Sequence, residues 1–190
     1  EMNACALPAG FDPKTARETL NRWIAHETAR TAREVTGAID AYRFNEAASA
    51  VYRFVWNIYC DWYLELAKPV LTGGDGPAKT ETRAMVAWVR DEIHNLLHPF
   101  MPFVTEELWR VTAEQGPKRD TLLALASWPK HGRLSDHAAE AEIGAVELPA
   151  PEEDQLAHAP AAGIVLVERD RRRGDEGVRR WREGRQRRHR

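Results

Sequence analysis

Apolar residues recur at steps of three and four along most of the first 146 positions, the spacing that places them on one face of an α-helix. From Pro13 to Thr36 the stripe is Ala16, Leu20, Ile24, Thr31 and Val35, continued by Ile39, with Trp23 at its edge. Asp12-Pro13 supplies a capping side chain and a proline at the first helical position, and Gly37 marks the expected end. On the opposite side Arg22, His26, Arg30 and Arg33 align at steps of four, four and three. After a loop over Asp40–Arg43, a second helix is expected from Phe44 to Lys68-Pro69, with Phe44, Ala48, Val51, Val55, Ile58, Trp62 and Leu66 in phase. Tyr52, Trp56, Tyr59 and Tyr63 widen this stripe, leaving Arg53, Asn57, Asp61 and Glu65 as a narrow polar edge. A helix so apolar and so rich in aromatics must be enclosed by other helices.

Leu71–Lys79 reads as a connection, and a third helix is expected over Thr80–Leu97 with Val86, Val89, Ile93, Leu96 and Leu97 inward. His98-Pro99 breaks it, because proline disfavours helix at the preceding residue and has no N–H to donate. A fourth helix opens at Pro102 or Thr105 and runs to Gly116 through Val104, Leu108 and Val111, with Glu106 and Glu107 complementing the dipole of its first turn. Leu122–Pro129 reads as extended, and Ser135–Val146 as a short fifth helix. The expected fold is all-α, a bundle of four to five helices. It divides into a leading loop (1–12), the bundle (13–146), and a linker with an arginine-rich tail (147–190).

The tail changes the charge picture. The net charge of -2 conceals residues 168–190, with 11 Arg against 5 acids, and residues 1–167, with 16 Lys and Arg against 24 acids. The bundle is therefore acidic, and nucleic acid would have to meet a local basic stripe. Apart from a short Gly163–Val167 strand, the tail offers too little apolar surface to fold alone. It reads either as a basic RNA-binding arm or as non-native sequence from a shifted reading frame, and the second is preferred. Cys5 and Cys60 form neither a disulfide framework nor a zinc motif, which points to a reducing, cytoplasmic compartment. No membrane-length apolar run and no signal peptide is legible, and the chain reads as a piece of a longer protein. A di-iron bundle would need Glu-x-x-His pairs, whereas Asp91-x-x-His94 stands alone. No phosphate loop, His-Glu-x-x-His or nucleophile motif occurs, so no catalytic and no metal-binding residue is assigned.

The wording of the helices adds more. Asn21-Arg22-Trp23-Ile24, Arg43-Phe44-Asn45-Glu46, Phe54-Val55-Trp56-Asn57 with Cys60-Asp61-Trp62-Tyr63-Leu64-Glu65, and His98-Pro99-Phe100-Met101-Pro102-Phe103 with Glu106-Glu107-Leu108-Trp109 follow in order. Together they closely resemble the anticodon-binding helical domain of valyl-tRNA synthetases, which are class I aminoacyl-tRNA synthetases. The resemblance implies a module that holds the anticodon stem-loop of tRNA(Val), carried by a monomeric parent that joins valine to tRNA. ATP and Mg²⁺ would belong to the parent's catalytic domain, whose HIGH and KMSKS signatures are missing here, so this chain itself needs no cofactor. Two alternatives stay open: the equivalent domain of an isoleucyl enzyme, and a non-catalytic helical scaffold for protein partners.

Holding an RNA loop requires cations for phosphates and planar groups for splayed bases. Arg22, Arg30, Arg33, Tyr42, Arg43 and Phe44 are the candidate tRNA-binding residues on that basis. The competing reading is that the stripe is a solvated helix face and that Phe44 belongs to the core. Arg53, Asn57 and Asp61 read as an intrahelical polar edge, and His98 as part of a structural bend.

Overall fold

The computed structural model describes residues 5–145 apart from 117, 118, 120 and 133. The expected linker, strand and arginine-rich tail lie outside the described residues. Among the described residues the regular elements are all helical. They are a 3₁₀ turn (Pro13–Thr15), α1 (Thr19–Asp40), α2 (Phe44–Arg53), a π-helical stretch (Phe54–Leu64) and α3 (Glu65–Thr72), then α4 (Pro77–Leu97), α5 (Pro102–Thr112) and α6 (His137–Gly144), with short 3₁₀ turns at Ala113–Gln115 and Leu123–Leu125. The chain stays helical from α2 through the π stretch to α3, with Phe54 and Glu65 both in the right-handed helical region. Five helical rods result.

The first rod begins later than expected. Asp12 caps only the 3₁₀ turn, accepting from the Lys14 N–H at 3.0 Å. The groups at the start of α1 are met instead by Glu81 of α4, which accepts from the Arg17 and Glu18 N–H groups at 3.1 Å and from Asn21 at 2.9 Å. At the other end Gly37 does not stop the helix. The stop comes at Asp40, where the Tyr42 N–H reaches the Ile39 carbonyl (2.9 Å) and the Arg43 N–H reaches the Ala38 carbonyl (2.8 Å). This is the Schellman closure, which requires a left-handed residue after the cap.

The π winding resets the register of the aromatic helix. Phe54 and Tyr63 are both fully buried. Nine residues apart, they would face opposite ways on an α-helix of 3.6 residues per turn. The i→i+5 winding holds more residues in each turn and brings both to the core side. Tyr63, not Trp62, therefore occupies the centre, and Trp62 packs half-buried at the core's edge. The Tyr63 hydroxyl donates to Asn21 Oδ1 at 2.9 Å, while Asn21 donates to Thr82 Oγ1 at 3.1 Å. This buried chain of polar groups joins α1, the π stretch and α4. Pro69 does not end the rod: Ala67 and Leu71 are buried on either side of it, against Cys5, and α3 continues to Thr72. Their burial offsets the hydrogen bond that proline forfeits.

The bend after α4 is held by His98 Nδ1 and Thr105 Oγ1, 2.8 Å apart. α5 starts at Pro102, but Val104, Leu108 and Val111 stay 45%, 43% and 41% exposed rather than turning inward. Buried Thr105 is its inner contact. Glu106 accepts from the Leu123 and Ala124 N–H groups (2.8 and 3.3 Å), holding the following turn against α5 instead of serving α5's own terminus. Glu107 pairs with Arg110 at 2.7 Å. α6 is capped by Asp136, which accepts from Ala139 N–H at 2.9 Å, and it packs on α1.

Candidate functional site

The six candidate residues fall into two groups. On the flank of α1, α6 covers what the sequence presents as a solvated stripe. Arg22 Nε lies 3.3 Å from Asp136, and His26 is buried. His26 Nδ1 accepts the Asp136 N–H at 2.8 Å, and its Nε2 lies 3.6 Å from Glu140. Arg30 is exposed but paired with Glu27 within the helix. Arg33, next along the stripe, is exposed and has no ion pair among the described residues. The flank thus spends Arg22 and His26 on holding α6.

The turn between α1 and α2 differs in kind. Tyr42 is 82% exposed and has φ 58°, in the left-handed region that favours glycine. Glycine is the usual occupant of this Schellman position, and a tyrosine there carries backbone strain. Its ring meets Phe44 edge to face, with centroids 6.2 Å apart. Phe44 is 53% exposed, so it does not belong to the core. Between them Arg43 is exposed, with Glu46 at 3.3 Å. Behind Phe44 opens a largely apolar cavity of about 480 Å³, walled by Thr36, Ile39, Asp40, Phe100 and Trp128. The Trp128 indole donates to Thr36 Oγ1 at 2.8 Å, which fixes that wall.

Phe100 and Trp128 are wall residues that sequence reasoning does not single out. Trp128 lies in Leu122–Pro129, which reads as extended from sequence, and Phe100 lies in the His98–Phe103 stretch, which reads as a bend. Arg53 is held at 2.6 Å by Glu34 of α1, so it clamps two helices, while Asn57 and Asp61 remain exposed.

Beneath the surface a second set of charged groups is paired. Asp91 is buried between Arg119 (2.5 Å) and Arg90 (3.2 Å), and Arg119 also lies 3.7 Å above the Trp109 ring. Burial of His94 beside this pair pushes its pKa down to about 4, leaving a neutral imidazole whose Nδ1 has no hydrogen-bond partner among the described residues. Burial likewise raises the Cys5 and Cys60 thiols. His26, His137 and Glu140 bring three ligand-type atoms within 4.8 Å of one another. They do not suit a metal, because His26 Nδ1 already accepts an amide proton and its proton must sit on Nε2, the atom turned to the cluster. A ligating histidine needs the reverse arrangement, donating from the nitrogen that faces away. Among the described residues no helix is long and apolar enough to cross a membrane.

Fold and site together define an all-α module that displays strained and exposed aromatics with a cation at one helix turn. Comparison with known proteins makes the class specific. The family described as the anticodon-binding domain of tRNA ligase matches residues 21–154, and the chain belongs to that family. The valine–tRNA ligase of Bradyrhizobium diazoefficiens is 75% identical over 129 residues, covering 68% of this chain and 13% of that protein. That of Rhodopseudomonas palustris is 71% identical over 136 residues, covering 72% and 14%. That of Caulobacter vibrioides is 57% identical over 145 residues, covering 76% and 16%. The chain therefore spans about one seventh of the length of these relatives.

Proposed function

We propose that this chain is the anticodon-binding part of a cytoplasmic valine–tRNA ligase and that it grips the anticodon stem-loop of tRNA(Val) through the α1–α2 turn. The observation that carries the reading is Tyr42, held in a left-handed conformation with its ring in solvent beside Arg43 and Phe44. A strained, exposed aromatic lowers stability for little return in packing, here one edge-to-face contact with Phe44, and such strain collects at binding sites. Unstacked loop bases can stack on the ring surface that Tyr42 and Phe44 turn to solvent, and Arg43 and Arg33 offer positive charge to the adjoining phosphates. In this reading Arg22 is a packing residue, and Arg30, tied to Glu27, contributes less than Arg33.

The bundle acts as a rigid base for that turn. Ala47, Ala50 and Val51 of α2 and Ala32, Val35 and Ala38 of α1 interlock directly behind it. Small residues at these positions let the two helices approach closely, so the turn is set by the core and not by its own contacts. The chemistry of joining valine to tRNA, with its ATP and Mg²⁺, belongs to the remainder of a monomeric parent. The chain alone is expected to show no valine-dependent ATP–pyrophosphate exchange.

The test is a binding titration of the chain with tRNA(Val) and with an anticodon-swapped transcript across a range of salt. The expected result is preference for tRNA(Val) at every salt concentration. Equal affinity for both transcripts would mean charge attraction only and would remove the anticodon reading. No binding at low salt would favour a protein-binding scaffold.

A further inference from the structure

A second recess lies on the bundle's flank. It is a cavity of about 420 Å³ bordered by Asp12 and Lys14 of the first 3₁₀ turn, Trp88 of α4, and Lys130 and His131 of the strap that leads to α6. Lys14 and Lys130 are exposed, and neither ammonium has an ion pair among the described residues. His131 is anchored, with Nε2 2.9 Å from Glu92 and its ring edge-on to Trp88 at 5.2 Å between centroids. Its Nδ1 is left without a partner among the described residues. Asp12 is the one carboxylate in the lining, and its Oδ1 is engaged by the Lys14 N–H at 3.0 Å. The recess thus combines two unpaired cations, a ring nitrogen and an indole wall, which is the chemistry that meets a phosphodiester and its sugar.

Its position relative to the α1–α2 turn gives it meaning. The strap that supplies Lys130 and His131 begins with Trp128, a wall of the cavity behind Phe44. Trp128 bonds Thr36, near the end of α1, and Asp136, at the strap's far end, bonds His26. Ten residues of α1 separate those two anchors, a rise of about 15 Å. The lysine recess therefore lies on the course of the same strap, whose first residue walls the cavity behind Phe44.

We infer that Lys14, Lys130 and His131 form a backbone-phosphate site that holds the stem of the RNA whose loop sits at Tyr42–Phe44. The inference rests on the anticodon reading above and adds a second, sequence-independent contact to it. The loop site selects, and the flank site fixes the angle at which the stem leaves the bundle.

The test uses the full chain, so that any contribution of its arginine-rich end is common to every variant. Lys14→Gln/Lys130→Gln should lower the slope of log affinity for tRNA(Val) against log salt by about 1.4–1.8, the value for two lost phosphate contacts. The double Lys→Arg variant should keep the wild-type slope, and melting should not change in either. A Phe44→Ala variant should weaken binding with no change in slope. If the lysine variant keeps its slope while Phe44→Ala still weakens binding, the flank site is wrong and the anticodon reading stands. If wild type itself does not distinguish tRNA(Val) from the swapped transcript, both fall. A parallel titration with inorganic phosphate, read on the His131 ring signals by NMR, separates the two sources of phosphate. Saturation there, with an unaltered RNA slope, would assign the recess to a free anion and overturn the inference.

Discussion

The flank of α1 and the turn that ends it are adjacent in sequence and both supply candidate RNA-binding residues, yet the fold treats them in opposite ways. On the flank, Arg22 and His26 meet Asp136 and Glu140, and the helix they hold buries His26 almost completely. At the turn, Tyr42 and Phe44 face solvent, and the backbone of Tyr42 sits where glycine would be at ease. Polar residues on the flank stabilise the fold, whereas apolar residues at the turn cost stability. A charged stripe is therefore poor evidence of a binding face until its partners are known. An exposed aromatic on a strained backbone is better evidence, because the fold rewards it with little more than one edge-to-face ring contact.

This contrast breaks if interior changes alter RNA binding or if changes at the turn alter stability in the wrong direction. The largest expected effect is in the interior. Tyr63→Ala removes a fully buried aromatic and leaves Asn21 Oδ1 without its donor, which should cost about 3–5 kcal/mol in urea unfolding. Trp62→Ala, at a half-buried site one residue away, should cost clearly less. A larger loss at Trp62 would show that the aromatic helix winds as a plain α-helix there.

Acid should act on the same interior. His94 stays neutral in the fold down to about pH 4, against an ordinary histidine value of 6.5. Between those values the unfolded chain binds the extra proton, so stability is complete above pH 6.5 and falls as pH drops towards 4. Thermal melts of wild type and His94→Gln across that window should converge as the pH falls. Parallel curves would place the acid sensitivity elsewhere.

On the flank, Asp136→Ala removes the cap of α6 and the partner of Arg22. It should cost about 1 kcal/mol, typical of a lost N-cap, with RNA affinity unchanged. A drop in RNA affinity at unchanged stability would return the α1 flank to the binding surface.

Much of the bundle was legible in the sequence because helical periodicity is set by the chain itself. The aromatic helix, the bend at His98-Pro99, the opening of α5 at Pro102 and a short last helix all follow from spacing and proline chemistry. Three features are not set by helical spacing alone. The burial of His26 needs α6, more than a hundred positions further on. The exchange of Trp62 for Tyr63 at the core needs the π winding, which shifts every position after it while leaving local composition unchanged. The stripe of Val104, Leu108 and Val111 is amphipathic by spacing, but spacing does not say whether anything covers it, and here it stays open. At the turn, Tyr42, Arg43 and Phe44 could be named as candidates from their chemistry. The strain at Tyr42 and the cavity walled by Phe100 and Trp128 were not legible, since both arise from how α1 closes and where the strap returns.

Tyr42→Gly tests the central claim most directly, because one substitution separates stability from binding. Glycine accepts the left-handed backbone, so the fold should gain about 1 kcal/mol as the strain is relieved. Loss of the ring should weaken binding to the tRNA(Val) anticodon stem-loop by about 1–3 kcal/mol, the contribution of one stacked base, with the salt slope unchanged. A melting temperature that rises while affinity falls is the predicted result. A variant that is more stable and binds the stem-loop as tightly as wild type would contradict the account.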